Sequence, residues 1–147
     1  MSRDNDSERE EITLSTQISP VTNGGSADVT THYVDGFVIA VPRDRLEDYE
    51  GIARDAASVW REYGALQVVE TVADDVPHGK VTSFPRSVQA TEDETVIFSW
   101  IAYESREARD DVNAKVMADP RIKDHMKEVP FDPARMIFGG FRTIVER

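Results

Sequence analysis

The sequence predicts an α+β fold: four antiparallel strands carrying two helices on one face, in the order β-α-β-β-α-β. Three observations predict it. β-Branched and aromatic runs alternate with stretches of three- and four-residue apolar spacing. Glycine, proline and clustered aspartates fall where the period changes. Two of the stretches with helical spacing each gather their apolar residues on a single face.

Residues 33–41 form the first strand, with Tyr33, Val34, Phe37, Val38 and Ile39, and they stop at Pro42. From Arg43 the period lengthens. Leu46, Tyr49, Ile52, Ala56, Val59 and Tyr63 line one helical face, while Arg45, Glu47, Asp48, Arg54, Asp55 and Glu62 fill the other. Gly64 follows, where a left-handed residue ends a helix. Residues 65–72 read as the second strand, and residues 74–80 supply turn chemistry. Residues 81–90 have no clear period, and Pro85 marks an irregular or edge segment. Residues 95–103 are the third strand, whose nearly continuous apolar run predicts burial on both faces. Ser105 caps a helix running to about Met117, with Ala108, Val112 and Val116 inward. Asp119-Pro120 breaks it, residues 121–128 add a short helical turn, and residues 136–145 form the last strand. This order is the split βαβ arrangement of a ferredoxin-like module, here expected over residues 30–147.

Residues 1–29 read differently. They are polar and acidic, include Asn23-Gly24-Gly25-Ser26, and offer too few apolar side chains to offset the ~1–2 kcal/mol per residue that backbone ordering costs. A disordered or loosely attached acidic tail is expected there, dispensable for folding.

The charge balance narrows the partners. Net charge is −11, and the basic residues are four lysines and thirteen arginines with no basic cluster. Polyanions are bound through clustered cations that release counterions, so neither nucleic acid nor an anionic membrane is an expected partner. An acidic, lysine-poor surface suits strong salt, where a Debye length of ~3 Å at ~1 M screens self-repulsion. That makes the chain halophilic in character; an ordinary acidic protein is the alternative. No cysteine is present, which excludes disulfides, thiolate nucleophiles and cysteine-held metals. The charged start and the lack of a long apolar run point to a cytoplasmic location.

A lone module of this kind leaves one sheet face uncovered. The third and fourth strands are apolar at nearly every position, including Phe98, Trp100, Phe138 and Phe141, so an exposed face would be a large apolar patch. Two sheets packed face to face is the simplest two-fold solution, a homodimer built as a dimeric α/β barrel.

Tyr33-Val34-Asp35-Gly36-Phe37-Val38, Asp74-Asp75-Val76-Pro77, Val96-Ile97-Phe98-Ser99-Trp100-Ile101, Asn113-Ala114-Lys115-Val116-Met117-Ala118-Asp119-Pro120-Arg121 and Arg135-Met136-Ile137-Phe138-Gly139-Gly140-Phe141 stand in order. Together they closely resemble the family called domain of unknown function 1428, over roughly residues 32–146. The resemblance implies a dimeric α/β barrel. It brings no activity and no catalytic residue with it.

Asp35 and Glu70 are acids inside strands, where a carboxylate is unfavourable unless paired or wet. Either could line a barrel cavity as acid, base or ligand-binding group; the structural reading is an edge position or an ion pair with Arg86 or Arg142. Trp100 beside Ser99 could wall a site for a planar ligand with Arg86, or simply fill the core. His32, His78 and His125 lack partners at ligand spacing, so no metal site is expected, and no dinucleotide or phosphate-loop motif calls for a cofactor. Two functions follow. One is a small-molecule binder or cofactor-independent enzyme using the barrel cavity, by analogy of fold; the other is a non-catalytic dimeric interaction or regulatory module.

Overall fold

The computed structural model describes residues 32–147, so the tail expected over residues 1–29 lies outside the described residues. Strand β1 (Tyr33–Pro42) passes through a 3-10 turn, Arg43–Arg45, into helix α1 (Leu46–Tyr63). Gly64 ends that helix with φ of 119°, a conformation that side chains resist. Strand β2 (Gln67–Val72) follows. The stretch without a clear period contains one helical turn, α2 (Phe84–Ser87), whose start is capped by Ser83. Pro85 sits in its first turn, where a missing N–H costs nothing. Strand β3 (Glu94–Tyr103) leads to α3 (Arg106–Ala118), and the Ser105 hydroxyl accepts the Ala108 N–H at 3.0 Å as the sequence predicts. Asp119 caps α4 (Pro120–Met126), accepting the Arg121 N–H at 2.9 Å and the Tyr63 hydroxyl at 2.8 Å. A 3-10 turn, Pro133–Arg135, precedes β4 (Ile137–Arg142), shorter at both ends than predicted.

The sheet has the order β2-β3-β1-β4, antiparallel throughout, which is the ferredoxin-like arrangement. The central pair runs from Tyr33 opposite Tyr103 to Pro42 opposite Glu94. The β1–β4 register is unbroken from Tyr33 opposite Arg142 to Val38 opposite Ile137, so Gly139-Gly140 forms no bulge. Gly140 provides room instead: a Cβ there would stand 2.2 Å from the Tyr33 hydroxyl.

Alternation divides the sheet into two unlike faces. Tyr33, Ile39 and Val41 of β1 and Ile97, Ile101 and Tyr103 of β3 pack beneath the long helices. Val59 of α1 and Val112 and Val116 of α3 meet them there. The opposite face carries Val38, Ala40 and Val96, covered by Val88 and, further along, by Phe84 against Phe98. Beyond that cover the face is open, with Phe98 43%, Ile137 45% and Phe141 65% exposed. The two-sided burial expected of β3 is therefore incomplete within one chain. Phe138 belongs to the helix side, where its ring stacks on Phe37 at 6.3 Å between centroids. No described helix is long and apolar enough to cross a membrane.

Candidate functional site

Helix α1 presents Ala53 and Ala57, one turn apart, toward the edge strand β2. Side chains this small leave the gap unfilled, and a cleft of about 340 Å³ remains between helix and strand. Leu46, Val68 and Val72 give it apolar walls. The exposed Glu50 and Arg54 stand on its α1 side. That volume is at the small end of what ligand sites occupy, ~300–1,000 Å³.

The polar centre of the cleft is a pair. The Tyr49 hydroxyl, from α1, donates to Glu70 Oε2, on β2, at 2.8 Å. Ser99 lies directly across from Glu70 on β3 and hydrogen-bonds the same carboxylate. Glu70 is exposed as a residue because its strand is an edge, but its carboxyl is drawn in against Tyr49. Lost hydration raises its pKa above the usual carboxylate value, while the bonds from Tyr49 and Ser99 pull the other way. Burial first, then the charge and hydrogen bond of Glu70, push the Tyr49 phenol far above its ordinary value. Tyr49 thus stays a neutral donor to the Glu70 carboxylate.

Asp35 lies elsewhere. It is 5% exposed, and Arg109 and Asn113 of α3 donate to its carboxylate at 3.2 and 3.4 Å. Arg109 also donates to the Tyr33 hydroxyl at 3.1 Å. Asn113 Oδ1 accepts from the Trp60 indole at 3.1 Å and from the Tyr103 hydroxyl at 3.2 Å. Arg109 Nε makes no hydrogen bond and has only the Asp110 carboxylate 3.0 Å away, but the bonds among Asp35, Arg109, Asn113, Tyr33, Trp60 and Tyr103 make the knot a pin between α3, α1 and the sheet. The ion-pair partner of Asp35 is Arg109 rather than Arg86 or Arg142. Glu70 pairs with a phenol and a hydroxyl rather than a cation.

The remaining candidates separate. Ser99 joins Glu70, whereas Trp100, the next residue, points to the open face beside Phe98 with ring centroids 5.6 Å apart. Arg86 is exposed and donates to the carbonyls of His78 and Gly79 at 2.9 and 3.1 Å, holding the loop after β2. Both strand carboxylates therefore face the helices, away from the sheet face that a barrel interior would use. Tyr49, Arg109 and Asn113 were not read from the sequence as site residues. Their signal is a polar group on an otherwise apolar helical stripe, since a buried hydroxyl or amide needs a partner.

Residues 32–133 match the family described as "Protein of unknown function (DUF1428)". The chain is 53% identical over 114 residues to "Uncharacterized protein YbaA" of Escherichia coli (strain K12), covering 78% of this chain and 97% of that one. The protein of the same name in Shigella flexneri matches to the same extent. A solved structure described as a dimeric ferredoxin-like protein, from an uncultured marine organism, is similar with a TM-score of 0.50. It is 13% identical, over 80% of this chain and 91% of that one, a likeness of fold alone. The family match takes in β1 through α4, the strands and helices that build both the cleft and the buried pin, and the chain belongs to the DUF1428 family.

Proposed function

We propose that the protein is a small-molecule-binding protein that works as a homodimer. The observation that carries this reading is the division of labour across the sheet. An open apolar face lies on one side, and a cleft with one polar pair lies on the other, so pairing need not close the cleft. Val34, Phe98, Trp100, Ile137 and Phe141 make the open face self-similar and apolar, the kind of surface that a second copy covers at ~800 Å² per partner. The similar solved protein is described as dimeric, which supports the same arrangement here. The halophilic character belongs to the same reading and stands on the acidic, lysine-poor composition, and the cytoplasmic location expected from the sequence is proposed with it.

Sedimentation of the full chain at micromolar concentration in multimolar KCl should give twice the chain mass. Native mass spectrometry of that dimer should show a retained small molecule, or acquire one from a compound mixture. A well-folded monomer would overturn the pairing. A dimer that takes up no compound would favour the second reading, an interaction module acting through its acidic surface.

A further inference from the structure

We propose that the α1–β2 cleft is a binding site for a small, largely apolar molecule, about the size of a substituted phenol, whose single hydroxyl donates to Glu70. The proposal rests on the small-molecule reading above and gives it a place and a chemistry. The walls are aliphatic, and the space exists because Ala53 and Ala57 are too short to fill it. An apolar body placed there replaces water on Leu46, Val68 and Val72, which favours binding in proportion to the apolar surface covered.

The polar end is set by Glu70. A carboxylate offers about four acceptor sites. Tyr49 and Ser99 each use one, which leaves sites for a donor arriving from the cleft. Tyr49 is already committed to Glu70, so the pair as a whole presents acceptors rather than donors. Two carboxylates, Glu50 and Glu70, line the cleft against one cation, Arg54, so an anionic ligand meets a net negative site, which disfavours it. A neutral hydroxyl on an apolar body does not meet that objection.

The probe is p-cresol, titrated into the ¹⁵N-labelled full chain. Saturable amide shifts are expected in residues 46–57 and 68–72. The methyl ether of the same compound, 4-methylanisole, keeps the shape and lacks the donor; it should bind at least tenfold more weakly. Glu70→Gln should also lower affinity for p-cresol about tenfold, and Ala57→Leu should abolish the shifts while keeping spectral dispersion. Shifts that map to the open sheet face, equal affinity for p-cresol and its methyl ether, or no saturable shift at all would overturn the site. Sedimentation of the same samples separates the two readings. A compound-retaining dimer with an empty cleft sinks the site alone, and a monomer that binds p-cresol in the cleft sinks the pairing alone.

Discussion

Glu94→Gln should destabilise the fold more than its place at the start of a strand suggests. Glu94 is 9% exposed, and its two oxygens receive Arg135 Nη1 and Nη2 at 2.8 and 2.7 Å. The Thr91 N–H adds a third bond at 2.8 Å. The same guanidinium reaches the Gln89 carbonyl at 2.9 Å and Asp132 at 3.2 Å, so it ties the turn before β3 to the loop before β4. The bidentate bond from Arg135 is the main cause that holds the Glu94 pKa down to about 2. Glutamine keeps the shape but turns an NH₂ toward the guanidinium, donor against donor. Removing one partner of a buried pair costs ~3–5 kcal/mol, and the 24% exposure of Arg135 together with its Asp132 partner lowers this to about 2–3 kcal/mol. In a domain of this size the melting temperature should fall by roughly 10 °C. The pH dependence has a definite sign. A carboxyl whose folded pKa is depressed contributes its stability above the unfolded value of ~4.3 and loses it as pH falls toward 2. Circular-dichroism melts of both chains should therefore differ fully at pH 7 and converge on acidification. A gap under about 0.5 kcal/mol at pH 7, or one that widens toward pH 3, would refute the reasoning.

Net charge of −11 predicts that the thermal midpoint rises by several degrees from dilute buffer to multimolar KCl; a flat or falling curve removes the high-salt reading. Phe98→Asp and Phe141→Asp should each weaken self-association at least about a hundredfold by sedimentation, since both rings stand on the open face. Phe138→Asp should leave association unchanged, because that ring lies on the helix side against Phe37; the reverse pattern would move the interface to the helix layer.

The order of elements was legible because each has a local cause. The apolar period of α1, the glycine that ends it, the Ser105 cap and the β-branched runs of β1 and β3 all act within a few residues. What was not legible depends on register. Phe98 and Phe141 were grouped with Phe138 from composition alone, yet a strand sends alternate residues to opposite faces, and Phe138 pairs opposite Phe37 on the helix side. Asp35 and Glu70 look alike in sequence. One meets Arg109 more than seventy positions away and the other meets Tyr49 across a cleft, and no local pattern announces such partners. The single turn at Phe84–Ser87 was hidden by Pro85, a helix breaker in the interior that is favourable in a first turn.

Strand β3 is where the two sides of the molecule touch. Ser99 and Trp100 are consecutive, and alternation sends the first to Glu70 and the second to the open face. A partner pressing on Trp100 and Phe98 therefore bears on the strand that holds one of the bonds to Glu70. That strand is one of the two central strands and pairs over ten residues with β1. The cleft wall is different: β2 is an edge, pairs with β3 alone, and has only α1 facing it across the gap. A ligand that widens the cleft displaces β2 outward at the cost of few packed contacts, while the β1–β3 pair beneath the open face stays put. In the proposed dimer, pairing would fix the β3 floor of the cleft and leave its β2 wall free to adjust. Glu70 rides on that wall, so its bond from Tyr49 of α1 is what holds the polar contact in place while Val68 and Val72 adjust to the ligand.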